Sequence, residues 1–176
     1  AGLIFTEATA VTADGRITAQ DLGLWNDAQI APLQRITRFI AAQGAVAGIQ
    51  LAHAGRKAST HRPWIGKSGS LKPEEGGWVP VGPSPIAFDP NHTQPRPLDD
   101  AQIQQVIADF VAAAKRALTA GFKVVEIHAA HGYLLHQFLS PISNQRQDQY
   151  GGTFENRIRL VLQVTEAVRE VWPQDL

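Results

Sequence analysis

The chain has 176 residues, 44% of them apolar and 18% charged, which is the composition of a globular domain and excludes disorder. Sixteen Lys and Arg against sixteen Asp and Glu give zero formal net charge, so neither nucleic acid nor an anionic membrane surface is an expected partner. Cysteine is absent, which removes disulfides, thiolate chemistry and Cys-zinc sites and suits a cytoplasmic protein.

The first expected strand spans about Leu3–Val11, apolar and β-branched, and ends at the turn-rich Thr12-Ala13-Asp14-Gly15-Arg16. A helix follows, signalled by Asn26 and Gln29 at capping-box spacing, with Trp25 and Ile30 placed as a hydrophobic staple. Ile30, Leu33, Ile36 and Ile40 supply its apolar face. Pro32 leaves two readings open: one helix from Asn26, or a separate turn with the helix starting at Pro32. Gly44 closes it. The second strand is Val46–His53. A long excursion, about residues 55–98, then carries most of the prolines together with Trp64 and Trp78, and a connection of that length reads as a lid or binding loop. The basic pair Arg56 and Lys57 at its start reads as solvated, with attraction of a phosphate as the alternative.

The second helix is the most strongly marked. Asp99 and Gln102 form a capping pair, and Ile103, Val106, Ile107, Phe110, Val111, Ala114, Ala117 and Leu118 make one continuous stripe. Gly121 supplies its left-handed end. A third strand, Phe122–Ile127, runs into His128-Ala129-Ala130-His131-Gly132-Tyr133. Thr153 then caps a third helix whose expected buried face is Ile158, Val161, Leu162, Thr165, Val168 and Trp172. No run approaches the ~18 apolar residues of a membrane span, and no leader precedes the first strand, so neither is expected. The chain lacks methionine, opens at a strand edge and stops where another strand is due, so an internal fragment of a larger protein is expected.

Strands alternating with helices predict βαβ units and a parallel sheet. No G-x-G-x-x-G follows any strand, which removes support for a Rossmann site. Period-two alternation sets Gly48, Gln50 and Ala52 on one face and Ile49 and Leu51 on the other, and likewise Glu126 and His128 against Val125 and Ile127. A small or polar face opposite a helix-facing one suits a (β/α)8 TIM barrel, of which this chain supplies about three βα units.

The candidate site gathers at the C-terminal strand ends: Ala8 on the first, Gln50 on the second, and His128, His131 and Tyr133 after the third. Two imidazoles and a phenol within six residues are neutral donors and acids near pH 7. A buried Gln50 needs partners for both its carbonyl and its amide, and a flat heterocycle with an imide edge satisfies the two together.

These residues sit in a series of motifs: Glu7-Ala8-Thr9-Ala10-Val11, Gly15-Arg16-Ile17-Thr18, Gly48-Ile49-Gln50-Leu51-Ala52-His53-Ala54-Gly55-Arg56-Lys57, Glu126-Ile127-His128-Ala129-Ala130-His131-Gly132-Tyr133-Leu134, Phe138-Leu139-Ser140-Pro141, and Tyr150-Gly151-Gly152 with Glu155-Asn156-Arg157. In this order they resemble the Old Yellow Enzyme family of FMN-dependent ene-reductases, in particular its bacterial NADPH dehydrogenase and xenobiotic reductase branch. The resemblance runs along essentially the whole chain. It implies a TIM barrel of which these are strands two to four, FMN as cofactor, NADPH or NADH as reductant, and small activated alkenes as substrates. It also implies that Ala8 touches FMN through its backbone and that Gln50 bonds the pyrimidine edge of the flavin. His128 and His131 would grip a carbonyl or nitro oxygen, and Tyr133 would donate a proton. Yeast-type members carry Asn where His131 stands. The parent is expected to be a homo-oligomer, and the fragment alone inactive. Two rival readings are a metal-dependent hydrolase using the His-x-x-His turn beside Glu126, and a non-catalytic fragment; no metal site is expected.

Overall fold

Parallel pairing of three strands organises the structure, a computed structural model that describes residues 1–176. Strand β1 (Leu3–Ala10) pairs with β2 (Val46–Ala52). Between them run a 3-10 turn (Asp27–Gln29) and helix α1 (Ile30–Ala42). Next come two-residue strands β3 (Val81–Gly82) and β4 (Arg96–Pro97), and helix α2 (Asp100–Thr119). Strand β5 (Val124–Ile127) follows and pairs with β2 on the side away from β1, giving the order β1-β2-β5. Helices α3 (Leu134–Leu139) and α4 (Phe154–Val171) complete the chain. The βαβ units and parallel sheet are those expected of a barrel segment, and three strands leave the barrel open.

Register decides what the inner face presents. Phe5 pairs with Gly48, but the next paired residue after the irregularity is Ala8, opposite Gln50, so Thr6 and Glu7 together face the single residue Ile49. This bulge changes the parity of β1 and puts both Phe5 and Ala8 inward. Phe5 lies over Gly48 so closely that a Cβ there would come within 2.7 Å of the ring. Gln50 pairs in turn with Glu126, and the His128 N–H donates to the Leu51 carbonyl at 2.9 Å. The inner face therefore stacks in rows: Phe5, Gly48 and Val124, then Ala8, Gln50 and Glu126, then Ala10, Ala52 and His128.

The outer face makes the core. Ile49 and Leu51 are fully buried, and so are Ile103, Phe110, Ala114 and Leu160 from the helices that cover them. Full burial of a side chain the size of Phe110 stabilises by about 1.5–3 kcal/mol. Helix α2 follows its sequence pattern, with the Gln102 N–H donating to Asp99 at 2.8 Å and the Asp99 N–H to Gln102 at 3.0 Å. Asn26 caps the 3-10 turn rather than α1, and Pro32 falls third in α1, where its missing N–H has no intrahelical partner to lose.

Two expectations need correction. On α1 the inward stripe is Leu33, Thr37 and Ile40, while Ile36 is 47% exposed. On α4 the buried residues are Leu160, Val164 and Val168, continued by Trp172, and Leu162 and Thr165 face outward. That helix is apolar on several sides, so periodicity alone does not choose the face. The short α3 leaves no sign in the sequence. Its six residues are too few to show a helical period, and burial of Leu134, Leu135 and Phe138 holds it.

The excursion over residues 55–98 contains three 3-10 turns and the β3–β4 ladder. It is anchored where it crosses the loops. The Arg16 guanidinium lies 5.0 Å from the Trp25 ring and 5.2 Å from Trp78, whose indole N–H donates to the Asp14 carbonyl at 2.8 Å.

Two outcomes follow. Both β1 and β5 are sheet edges, and Leu3, Ile4, Phe5 and Val46 are exposed, so residues 1–176 expressed alone should aggregate and hold FMN poorly. A monomer melting cooperatively in calorimetry, with micromolar FMN affinity, would contradict this. The second concerns His53, buried at the end of β2, where its Nδ1 accepts the Gly55 N–H at 3.0 Å. Burial lowers its pKa to about 4, against an opposing pull from Asp14. On acidification the unfolded chain takes up this proton near its ordinary value of about 6.5, and the folded chain refuses it down to about 4. Stability should therefore fall by about 2 kcal/mol between about pH 6.5 and 5. In urea titrations of the full-length protein, His53→Gln should lose most of that slope; an unchanged slope would remove His53 as its source.

Candidate active site

The chain reverses sharply after β5, and the reversal carries the imidazoles and the phenol. His131 and Gly132 are consecutive left-handed residues, at φ 57° and 76°. For glycine this is free, whereas for histidine it costs on the order of 1–2 kcal/mol. The surrounding bonds supply that cost. The Lys57 ammonium donates to the His131 carbonyl at 3.0 Å, and the Gly132 N–H donates to His136 Nδ1 at 2.9 Å. The Tyr133 N–H donates to Ala130 at 3.1 Å, and the Leu134 N–H to the His53 carbonyl at 2.9 Å.

Beneath the turn lies Gln137, fully buried on α3. Its amide N–H groups donate to the carbonyls of Gly132 at 2.8 Å and Ala54 at 3.2 Å, and its Oε1 accepts the Arg56 N–H at 3.2 Å. Gly55 passes over this amide at φ 58°, where a Cβ would come within 2.5 Å of it. One side chain thus joins the turn after β2 to the turn after β5.

The imidazoles are arranged by backbone. The Ala130 N–H donates to His128 Nδ1 at 3.2 Å, so in the neutral ring Nε2 carries the proton. That Nε2 is 3.3 Å from His131 Nδ1. Burial lowers the His128 pKa, and the neighbouring His131 lowers it further, against the pull of Glu126. His128 is therefore a neutral N–H donor near pH 7. The Tyr133 ring meets His128 edge-on at 4.9 Å. Burial raises the phenol pKa, and the Asp21 carboxylate raises it further, so the phenol keeps its proton. Asp21 is itself held by the Ile17 N–H at 2.7 Å and the Thr18 hydroxyl at 2.6 Å. Tyr133 and Ala8 line one small cavity, together with Ala10, Ala52 and Ala54.

Gln50 stands one row below His128. Its Nε2 donates to Glu126 Oε1 at 2.7 Å. A carboxylate only accepts, so this bond fixes the amide orientation and leaves Gln50 Oε1 and one N–H for a ligand. A free acceptor beside a free donor, next to a shelf of Ala8, Ala10 and Ala52, fits the imide edge of a flavin. The residues present fit FMN. His128 and His131 have no third metal-ligating side chain gathered with them.

The structure brings Ala8, Gln50, His128, His131 and Tyr133 to one end of one sheet. It corrects the reading of Arg56 and Lys57 as a solvated pair. The Arg56 guanidinium donates to the carbonyls of Ile86 and Ala87, and Lys57 is bound to His131. Glu126, Asp21, Lys57 and Gln137 join the site without having been assigned to it. Only Glu126 left a usable sign, its place on the same strand face as His128.

An incomplete parallel α/β barrel with convergent donors at the C-terminal strand ends is part of a TIM barrel. Comparison with known proteins is specific: residues 1–176 match the NADH:flavin oxidoreductase / NADH oxidase family, and the chain belongs to it. The chain is 54% identical over 176 residues to an NADH:flavin oxidoreductase of Gibberella zeae, covering 98% of the chain and 43% of that protein. It is 51% identical over 171 residues to an NADPH dehydrogenase of Listeria innocua, covering 97% and 46%. Among solved structures, an Old Yellow Enzyme from Pichia superposes with a TM-score of 0.83 at 32% identity, over 97% of this chain and 44% of that one. The chain thus spans less than half the length of these proteins. No helix is long and apolar enough to cross a membrane.

Replacing Gln137 by Leu should leave the half-buried Gly132 carbonyl and Arg56 N–H without partners, while the Ala54 carbonyl keeps only the Lys57 N–H at 3.2 Å. The expected loss in the full-length protein is about 3–5 kcal/mol by urea denaturation; a loss below about 1 kcal/mol would show that the two turns hold together without it.

Proposed function

We propose that the full-length protein is an FMN-dependent NAD(P)H oxidoreductase that reduces the activated C=C bond of small α,β-unsaturated carbonyl or nitro compounds. The observation that carries this reading is the His128–His131 pair, one tautomer set by a backbone N–H, held beside a protonated phenol. When bound, FMN supplies a hydride to the β-carbon of the alkene and is itself reduced by NADPH or NADH.

The chain's own residues account for the rest of the chemistry. Gln50, held by Glu126, and the backbone of Ala8 hold the flavin edge. His128 Nε2–H and the neighbouring His131 donate to the carbonyl or nitro oxygen, where negative charge grows as the β-carbon is attacked. N–H donors at that oxygen stabilise the transition state as the charge develops. Tyr133 then gives its proton to the α-carbon, a role open to a weak acid that stays protonated until needed. The same reading includes a cytoplasmic location, supported by the absence of cysteine, and a homo-oligomeric parent.

Purified full-length protein should show a flavin absorption spectrum, and cyclohexenone should reoxidise the reduced flavin anaerobically. A protein that binds no FMN on reconstitution would sink the proposal. His128→Ala or His131→Ala should slow enone reduction by about 10²–10³-fold, roughly 3–4 kcal/mol, and weaken phenol ligands. Tyr133→Phe should leave flavin reduction by nicotinamide intact, slow enone reduction, and affect nitroalkenes less, since their nitronates do not wait for the acid. Stopped-flow measurement of the two half-reactions separates these roles. Equal slowing of both by Tyr133→Phe would make Tyr133 a positioning residue.

A further inference from the structure

Lys57 stands apart from the surface lysines. It sits in the 3-10 turn after β2, yet its ammonium reaches the turn after β5 and donates to the His131 carbonyl at 3.0 Å. The same nitrogen lies 5.1 Å from the centre of the Tyr133 ring and 4.5 Å from that of Phe88. Its stem runs beside Gly132, where an added Cβ would sit 3.7 Å from Lys57 Cδ. Phe88 is fixed from the excursion side, edge-on to His92, which is paired with Asp89 at 2.8 Å. An ammonium held between two aromatic faces and a strained carbonyl has few other places to go.

We propose that Lys57 is a positioning residue for proton delivery: it braces the left-handed His131–Gly132 turn through the His131 carbonyl and polarises the Tyr133 phenol through the face of its ring. The inference rests on the reductase reading for its place in the reaction, but not for the contact itself. A cation over a phenol ring stabilises the electron-rich phenolate more than the phenol. The groups facing the Tyr133 side chain are Lys57 from the turn after β2, Asp21 from the loop after β1, and His128 and His131 beside it. Burial and Asp21 both hold the proton on Tyr133. Lys57 is the charge that works the other way, easing the release that the α-carbon requires. Arg56 does not share the role, since its guanidinium is committed to the carbonyls of Ile86 and Ala87.

The test uses the full-length holoprotein with ¹³Cζ-labelled tyrosine. The signal lost in Tyr133→Phe identifies Tyr133, and its shift is followed against pH in wild type, Lys57→Met and Lys57→Arg. In Lys57→Met the ionisation midpoint should rise by about half a pH unit, and Lys57→Arg should return most of that rise. In stopped flow, Lys57→Met should slow enone reduction by about threefold and leave flavin reduction unchanged. A Tyr133 midpoint that does not move in Lys57→Met overturns the proposal, as does an equal loss in both half-reactions. If wild-type protein reduces no enone, the reductase reading falls by itself, and the NMR midpoint still decides whether Lys57 acts on Tyr133.

Discussion

The buried amide of Gln137 is the contact on which the geometry of the site depends. Parallel strands β2 and β5 end side by side, but nothing in strand pairing fixes how their following turns meet. Gln137 does so by bonding one turn at Ala54 and Arg56 and the other at Gly132. Those groups are backbone donors and acceptors partly or wholly withdrawn from water, so losing the amide that joins them is costly. The same constraint explains Gly55, since no side chain fits between that backbone and the amide. With the two turns locked, Lys57 comes within reach of His131, and His128 is held against Tyr133.

The sheet supplies a second constraint. Small residues at Ala8, Ala10, Gly48 and Ala52 keep the inner face shallow, and Gln50 and Glu126 put one directed polar pair on it. The bulge at Thr6–Glu7 matters here because it turns Ala8 inward in register with Gln50. Without that extra residue, continued alternation from Phe5 would face Glu7 inward and Ala8 toward the helices. A carboxylate would then stand where the shelf is now apolar. A single irregularity in β1 therefore decides whether a flat ring can lie across the strand ends.

Much of this was legible in the sequence, and the failures have physical causes. The α2 cap and stripe could be read because capping and helical periodicity are local. The inward placement of Gln50 and His128 could be read because β2 and β5 alternate regularly. The buried faces of α1 and α4 could not, because both helices carry apolar residues on more than one side and the sheet chooses among them. The β1 bulge depends on its partner's register, which no single strand encodes. Gln137 leaves no sign and Lys57 reads as solvated for the same reason: both act across about 80 residues of sequence, and an amide or ammonium side chain looks identical whether it is solvated or buried at a joint. His128, His131 and Tyr133 stood out because a single turn carries all three.

The protonation states at the site form a consistent set. Burial and the neighbouring imidazole keep His128 neutral, and burial with Asp21 keeps Tyr133 a phenol. In the proposed reaction a ligand oxygen would meet at His128 an N–H donor without full charge. That distinction bears on turnover. A permanent imidazolium would attract an anionic ligand in its ground state as strongly as the developing oxyanion, and uniform attraction tightens binding without lowering the barrier between the two. A neutral donor gains strength as the charge appears, which is when stabilisation accelerates the reaction. The backbone N–H of Ala130 is what makes this durable, because it occupies Nδ1 and leaves the proton on Nε2, the nitrogen 3.3 Å from His131. Tautomer and direction at His128 are thus set by the fold of the turn and its charge by burial, and in the proposed reaction the bracing of that turn by Lys57 and Gln137 would serve the chemistry as well as the stability.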